Sequence, residues 1–268
     1  NVRLRHPDIV TCNSADHLIE LNHTFDLGII STVVKRHFED TIIALKIASR
    51  VIIEKPCFDN PVHFNELISI ANDIPINSDL IYMSCPFLFT RVISQLILKP
   101  CIEYKNIVCD WHEEYPHPSG YRYDECLGLS AVSHFLPIIC ATSKTSYRSL
   151  SSLAINKYQC SFILKATADV FTNVVINYSR NSSKTRKSIT LEKADNTTRT
   201  INLMDLSLKT VGAKNKITMR KEQSLSPLQS MLLSILFGNS SLTKYIKITS
   251  LLNASQLFDR SIYKSCLF

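Results

Sequence analysis

The chain has 268 residues, 45% of them hydrophobic and 20% charged, with a formal net charge of +7, a composition typical of a globular protein of one or two domains. No uncharged apolar run reaches the roughly 18–20 residues that cross a bilayer, which argues against a membrane protein. The basic residues cluster at 180–187 and 209–221 in stretches typical of hairpin loops or strand edges, without interleaved aromatics, which argues against nucleic-acid binding.

The first third of the chain predicts alternating helices and parallel strands, because apolar residues recur at helical spacing between short β-rich runs. We expect helices at 14–22, 39–48 and 61–71 and strands at 27–32, 50–53 and 79–83. Ser14 or Asp16 would cap the first helix. A strand, a helix and a second strand within about thirty residues indicate a βαβ crossover.

The pattern changes after Cys85-Pro86, where strands separated by polar turns indicate an antiparallel sheet. We expect helices at 89–98, 127–142, 226–237 and 240–262, strands at 104–111, 162–168, 170–178, 187–193 and 198–203, and a loop rich in Pro, His and Tyr at 113–123. A parallel α/β part is therefore followed by an α+β part built on an open sheet.

The nine cysteines are scattered, and no pair shows the two-residue spacing of a zinc site or a redox motif. Several lie inside apolar runs, where a free thiol behaves as a small hydrophobe. We therefore predict unpaired thiols, no metal site and a cytoplasmic location.

Polar residues follow two of the predicted parallel strands. Thr32 ends the first strand, and Glu54-Lys55-Pro56 follow the second. Ligands bind at the carboxyl ends of strands in open α/β sheets, and a lysine there can donate a hydrogen bond or carry a proton. Taken alone, the three residues are explained more simply by a salt bridge at the strand end.

The spacing around this motif favours a ligand site. Thr32, His37 and Glu54 stand five and then seventeen residues apart, and this spacing resembles that of the glucose–fructose oxidoreductase / inositol dehydrogenase (Gfo/Idh/MocA) family. The resemblance implies that Thr32, His37, Glu54, Lys55 and Pro56 line the nicotinamide side of NAD or NADP. It also implies that Lys55 takes part in proton transfer.

The chain is similar to this family beyond the motif, in a tryptophan-containing strand, a loop with tyrosines and an apolar helix bearing a histidine. The resemblance implies that His134 abstracts a hydroxyl proton from a sugar-like substrate. It also implies substrate contacts from Trp111, His112, Tyr121 and Tyr123. Without the resemblance, a lone histidine on an apolar helix is most often a core residue.

The sequence departs from the family in three respects. The Gly-x-Gly-x-x-Gly turn and the acidic residue that reads the ribose are absent, and in relatives they would fall before residue 1. The family's aspartate before the histidine falls on Ser130 or Ala131, and a later acidic residue is Pro137. Without a carboxylate, the imidazole lacks a partner that orients it and raises its basicity.

Three hypotheses about the function follow. The first is an oxidoreductase that moves a hydride between NAD(P) and a hydroxyl carbon of a sugar or polyol. The second is a catalytically degenerate relative that binds or oligomerises, and the third is a basic interaction protein. The expected architecture is an incomplete Rossmann-like parallel sheet over residues 1–86, then an α+β domain over 87–268 whose open, mainly antiparallel sheet mediates homo-oligomerisation in relatives.

Overall fold

The computed structural model describes residues 12, 14–20, 22–58, 60, 62–73, 80–97, 104–114, 127–143, 147–155, 159–166, 173–212, 217–221, 225–238 and 240–248. Within these ranges the chain forms a three-stranded parallel sheet and an eight-stranded mixed sheet. The predicted fold class is therefore confirmed.

Helices and strands alternate in the first part of the chain. The elements are α1 (Ala15–Glu20), β1 (Gly28–Ile30), α2 (His37–Ile47), β2 (Val51–Ile53), α3 (Val62–Asp73) and β3 (Ile81–Met83). The three strands are parallel in the order β1-β2-β3. Ser14, rather than Asp16, caps α1, because its Oγ accepts a hydrogen bond from the backbone N–H of His17 at 3.3 Å.

The parallel sheet is covered on both faces, as its continuous apolar strands require. Ile53 and Met83 pack with Leu45 of α2 on one face. Ile52 and Tyr82 point to the opposite face and join the core of the second sheet. This face of the parallel sheet therefore packs against the second part of the chain.

The second sheet consists of two antiparallel meanders with β4 inserted between them. Its strands are β4 (Tyr104–Glu114), β5 (Tyr147–Ile155), β6 (Gln159–Ala166), β7 (Asn173–Ser182), β8 (Arg186–Lys193), β9 (Thr198–Asn202), β10 (Ser207–Val211) and β11 (Ile217–Lys221). Their order is β11-β10-β9-β8-β4-β7-β6-β5. Only the β4–β7 pair is parallel among the described pairs of this sheet, so the prediction of a mainly antiparallel sheet is confirmed.

Three helices accompany this sheet: α4 (Arg91–Ile97), α5 (Leu127–Ser143) and α6 (Pro227–Phe237). Ser226 and Gln229 form a reciprocal capping box at the start of α6, and Gly238 ends it with a φ of 62°. Of the helices in the described ranges, none is both long and apolar enough to span a bilayer.

The structure differs from the sequence prediction in three regions: 147–155, 207–221 and 240–247. Strands β5, β10 and β11 were not predicted, because serine, lysine and arginine interrupt their apolar pattern and their pairing partners lie elsewhere in the chain.

The helix predicted at 240–262 is wrong over residues 240–247, and residue 248 is helical. Residues 243–245 form one 3-10 turn, and Lys247 then forms an antiparallel bridge with Tyr82. The backbone N–H of Met83 donates to the carbonyl of Ile246 at 2.7 Å. This segment therefore pairs through its backbone with the edge of β3. The apolar periodicity of the sequence does not reveal such pairing. Residues 249–262 lie outside the described ranges, and the division at residue 86 stays a prediction.

Candidate functional site

The ends of β2 and β3 are joined through Glu54. Its Oε1 accepts a hydrogen bond from Ser84 Oγ at 2.6 Å, and its Oε2 accepts one from the backbone N–H of Lys55 at 3.3 Å. Lys55 Nζ lies 3.8 Å from Glu54 Oε2, and the Lys55 side chain is 16% exposed. The Lys55-Pro56 peptide bond is cis. The strand-end salt bridge therefore exists, but it leaves a largely buried ammonium at this edge of the sheet.

His37 connects the loop after β1 to the turn after β2. Its Nδ1 lies 3.0 Å from the carbonyl oxygens of both Pro56 and Cys57, and its Nε2 lies 2.9 Å from the carbonyl oxygen of Thr32. The ring is buried, and all three partners are backbone acceptors. These contacts fix the two loops relative to each other.

Thr32 is held by α2. Its Oγ1 donates to Asp40 Oδ2 at 2.6 Å, and Arg36 donates to Asp40 Oδ1 at 2.8 Å. All three line an open cavity of about 610 Å³ along β1, together with Gly28 and several apolar side chains. A Cβ on Gly28 would lie 3.3 Å from the Cβ of Ala48, so glycine allows α2 to approach β1 closely.

A row of large side chains crosses the second sheet. Trp111 on β4 pairs in register with Lys187 on β8 and with Tyr178 on β7. Directly opposed residues share a face of a sheet, and so do residues two apart on one strand. Trp111, Lys187 and Tyr178 therefore share one face with Glu113 and Arg180, next to α5.

Glu113 is the centre of this row. Its Oε1 accepts a hydrogen bond from Trp111 Nε1 at 2.9 Å, and its Oε2 accepts one from the Tyr178 hydroxyl at 3.1 Å. Lys187 Nζ and Arg180 Nε lie 3.7 and 3.9 Å from the same carboxylate. Lys187 Nζ also lies 3.9 Å from the centroid of the Trp111 ring, a cation–π distance.

His134 on α5 stacks on Trp111, with ring centroids 3.7 Å apart and an interplanar angle of 25°. Its Nδ1 is buried and has no hydrogen-bond partner within the part of the chain that the structure describes. Burial lowers the pKa of His134 well below its usual value, and the charges of Lys55, Lys187 and Arg180 lower it further. A neutral imidazole whose Nδ1 is unpartnered among the described residues therefore lies on α5, against the Trp111 ring.

Lys187 is affected by the same surroundings. Burial lowers the pKa of its ammonium, the neighbouring Glu113 carboxylate raises it, and the charge of Lys55 lowers it again.

The predicted site residues do not all converge. Trp111 and His134 stack on each other, whereas His112 lies on the opposite face of β4, 3.8 Å from Asp110 Oδ1. Consecutive strand residues point to opposite faces, so the adjacent positions of Trp111 and His112 already exclude one shared pocket face. Tyr121 and Tyr123 lie outside the described residues.

Sequence reasoning missed Ser84, Glu113, Tyr178, Arg180 and Lys187. Glu113 was predicted to lie in the loop at 113–123, but β4 continues to Glu114, and strand alternation then places Glu113 on the same face as Trp111. The other four depend on which strands pair, and they had no signal in the sequence.

Part of this arrangement fits a nicotinamide cofactor. Thr32, Glu54 and Lys55 supply hydroxyl, carboxylate and ammonium groups at the carboxyl ends of parallel strands. The described residues contain no glycine-rich turn that would hold a pyrophosphate. In the same ranges no group of three or more His, Cys, Asp or Glu side chains is arranged to hold a metal ion.

Comparison with known proteins supports the fold. No family model and no curated protein match the sequence. Among solved structures, the UDP-N-acetylglucosamine 3-dehydrogenase from Acidithiobacillus ferrooxidans superposes with a TM-score of 0.76 at 12% identity, over 97% of this chain and 84% of that one. A Gfo/Idh/MocA family oxidoreductase from Vibrio cholerae gives 0.72 at 13% identity, over 98% and 86%.

An aldose-aldose oxidoreductase from Caulobacter crescentus, complexed with glycerol, gives a TM-score of 0.68 at 13% identity, over 90% of this chain and 77% of that one. At such low identities the similarity establishes the fold alone. The resemblance inferred from Thr32, His37 and Glu54 is thus confirmed at the level of the fold.

Proposed function

We propose that this chain, which has the fold of Gfo/Idh/MocA oxidoreductases, transfers a hydride between NAD or NADP and a hydroxyl-bearing carbon of a sugar, sugar derivative or polyol. The observation that carries the proposal is His134, which stacks on Trp111 and whose buried Nδ1 has no hydrogen-bond partner among the described residues. Two proteins of similar fold are a UDP-N-acetylglucosamine 3-dehydrogenase and an aldose-aldose oxidoreductase.

The residues around His134 suit the oxidation of an alcohol. The carbon loses a hydride and the hydroxyl loses a proton, so negative charge develops on the oxygen. Ammonium groups such as Lys55 and Lys187 stabilise that charge, and the neutral imidazole of His134 accepts the proton. Bound NAD(P) would supply the hydride chemistry.

The cofactor-binding residues we propose are Thr32, Glu54, Lys55 and Pro56. His37 differs from them, because both of its ring nitrogens face backbone carbonyls. We assign His37 a positioning role, in which it holds the Thr32 loop and the Pro56 turn in one geometry.

Trp111, Tyr121 and Tyr123 remain proposed substrate contacts, with the substrate a small sugar-like molecule. We do not propose His112 as a substrate contact, since it lies on the opposite face of the sheet with Asp110 and Asn177. We propose that this polar face mediates homo-oligomerisation. The free thiols of Cys57, Cys85 and Cys109 favour a cytoplasmic location.

A catalytically degenerate relative is the second candidate. In the described part of the chain no carboxylate orients His134, since Glu113 is engaged by Trp111 and Tyr178. A protein of this kind would keep the fold and act through binding or oligomerisation.

Titration of NADH and NADPH fluorescence with the chain separates the two candidates. We expect binding, followed by reduction of NAD⁺ or NADP⁺ in the presence of sugars and polyols such as myo-inositol and glucose derivatives. Lys55→Met should lower turnover by about 10²–10⁴-fold, the usual worth of a group that handles the proton. The matched control is Lys46→Met on the exposed surface of α2, which should leave turnover unchanged.

If the intact chain does not bind the nucleotide, the oxidoreductase proposal fails and the non-catalytic candidate stands. Nucleotide binding without turnover for any substrate, and without an effect of Lys55→Met, would support a binding role for the same site.

A further inference from the structure

Glu113 joins three strands of the second sheet through one carboxylate. Its Oε1 accepts a hydrogen bond from Trp111 Nε1 on the same strand at 2.9 Å, and its Oε2 accepts one from the Tyr178 hydroxyl on β7 at 3.1 Å. Lys187 Nζ on β8 and Arg180 Nε on β7 lie 3.7 and 3.9 Å from the carboxylate. The Glu113 side chain is only 15% exposed, and hydrogen bonds to an ionised acceptor are stronger than neutral ones. The carboxylate is therefore held at both of its oxygens.

This carboxylate fixes the orientation of the Trp111 indole. The Nε1–H is the one polar group of that side chain, and Glu113 Oε1 is its acceptor. Phe87 and Phe135 meet the indole edge-on, with ring centroids 6.2 and 5.9 Å away. Lys187, which lies beside Glu113, has its Nζ 3.9 Å from the centroid of the indole ring. The polar edge of the indole is thus set by Glu113, and the cation over the ring is a neighbour of the same carboxylate.

Trp111 in turn supports His134. The imidazole lies on the indole with ring centroids 3.7 Å apart and an interplanar angle of 25°. Within the described ranges the buried Nδ1 of His134 has no hydrogen-bond partner that would orient the ring. The plane of the imidazole therefore depends on the stacking contact, and hence on where the indole lies.

We propose that Glu113 is a positioning residue of this site. It acts through Trp111 and not by a direct bond to His134: the carboxylate fixes the indole, and the indole fixes the plane of the imidazole. The benefit to catalysis rests on the proposed function, in which His134 accepts the proton of a substrate hydroxyl. Such a transfer needs the acceptor within hydrogen-bond reach of that hydroxyl, and a misplacement of about 1 Å costs on the order of a hundredfold in rate.

Two substitutions separate this role from that of the Glu113 charge. Glu113→Gln keeps an amide oxygen at the same reach for Trp111 Nε1 but removes the negative charge. Glu113→Asp keeps the charge but is shorter by one carbon–carbon bond of about 1.5 Å, so its oxygens no longer reach the indole. A positioning role predicts that only the aspartate variant is impaired. A role of the charge predicts the reverse, and a contribution to stability alone predicts that both variants follow their melting temperatures.

The position of His134 is measured by nuclear magnetic resonance in the absence of nucleotide and substrate. The ring current of an indole shifts protons that lie over it upfield, and the loss of signals in His134→Phe assigns those of His134. We expect these upfield signals to persist in Glu113→Gln and to move toward the values of a free imidazole in Glu113→Asp. Glu66→Asp, the same shortening on the exposed surface of α3, is the matched control and should leave them in place. Unchanged His134 signals in Glu113→Asp would overturn the proposal.

Turnover tests whether this positioning serves the reaction. The value of kcat should fall about tenfold to hundredfold in Glu113→Asp and stay within about threefold of the unmodified chain in Glu113→Gln and Glu66→Asp. An equal loss in both Glu113 variants, or a loss only in Glu113→Gln, would refute the positioning role. If the unmodified chain oxidises no sugar or polyol, the proposed function fails, and the His134 signals still decide whether Glu113 positions the ring.

Discussion

Replacement of His134 by phenylalanine tests the electrostatic description of the site. Phenylalanine keeps an aromatic ring against Trp111 but cannot take up a proton, and it also removes the unpartnered Nδ1. Leaving a buried polar group without a hydrogen bond costs about 1–3 kcal/mol. At pH 7.5 the variant should therefore unfold with an equal or larger free energy than the unmodified chain.

The larger difference between the two chains is expected in the pH dependence of the free energy of unfolding. Because the pKa of His134 is lowered in the folded chain, the unfolded chain binds an extra proton as the pH falls below the ordinary value of 6.5. Protonation therefore favours the unfolded chain on the acidic side. For a ring that stays neutral when folded, the lost stability between pH 7.5 and 5.5 is about 1.4 kcal/mol.

The measurement is urea unfolding of both chains at pH 7.5, 6.5 and 5.5, followed by far-ultraviolet circular dichroism. The difference between the chains isolates His134, because the other titrating groups are common to both. His17→Gln, on the exposed surface of α1, is the matched control and should show no such change. If the difference between the unmodified chain and His134→Phe stays constant with pH, His134 is not a buried neutral imidazole and the proton-acceptor argument fails.

Three stability predictions concern the framework of the site. Ser84→Ala should lower the free energy of unfolding by about 1 kcal/mol, since it removes the 2.6 Å hydrogen bond to the partly exposed Glu54, and an unchanged urea midpoint would contradict that geometry. Ser226→Ala should lower the free energy of unfolding by about 1 kcal/mol, because it removes the capping box with Gln229. Ser226→Gly should lower it by only a few tenths of a kcal/mol, and equal losses in the two variants would argue against side-chain capping. Ile53→Ala should lower the free energy of unfolding, measured by thermal unfolding, by about 2–5 kcal/mol, because this side chain is fully buried between α2 and β3. A loss below about 1 kcal/mol would mean that Ile53 is not a core residue.

The sequence predicted the parallel part of the fold well. Short apolar strands and helical periodicity are local signals, and they located β1, α2, β2, α3 and β3. The second sheet was predicted less completely. Strands such as β5 owe their conformation to pairing with a neighbour, and their own residues carry little β propensity.

The difference between His112 and Glu113 illustrates how far the site could be predicted from the sequence. A resemblance in sequence order suggested both Trp111 and His112, but the alternation of a strand places Glu113, not His112, on the face of Trp111. Alternation is a physical constraint on neighbouring residues, and here it outweighs proximity along the chain.

The sequence by itself determined the Thr32, His37 and Glu54-Lys55-Pro56 spacing, because one βαβ unit encodes it within a short stretch of chain. The tertiary structure alone decided what surrounds His134. Lys55 comes from the parallel sheet, Lys187 and Arg180 come from two different strands of the second sheet, and their charges act on one ring. Electrostatic interactions depend on distance in space, and that distance is set only when the two sheets pack together.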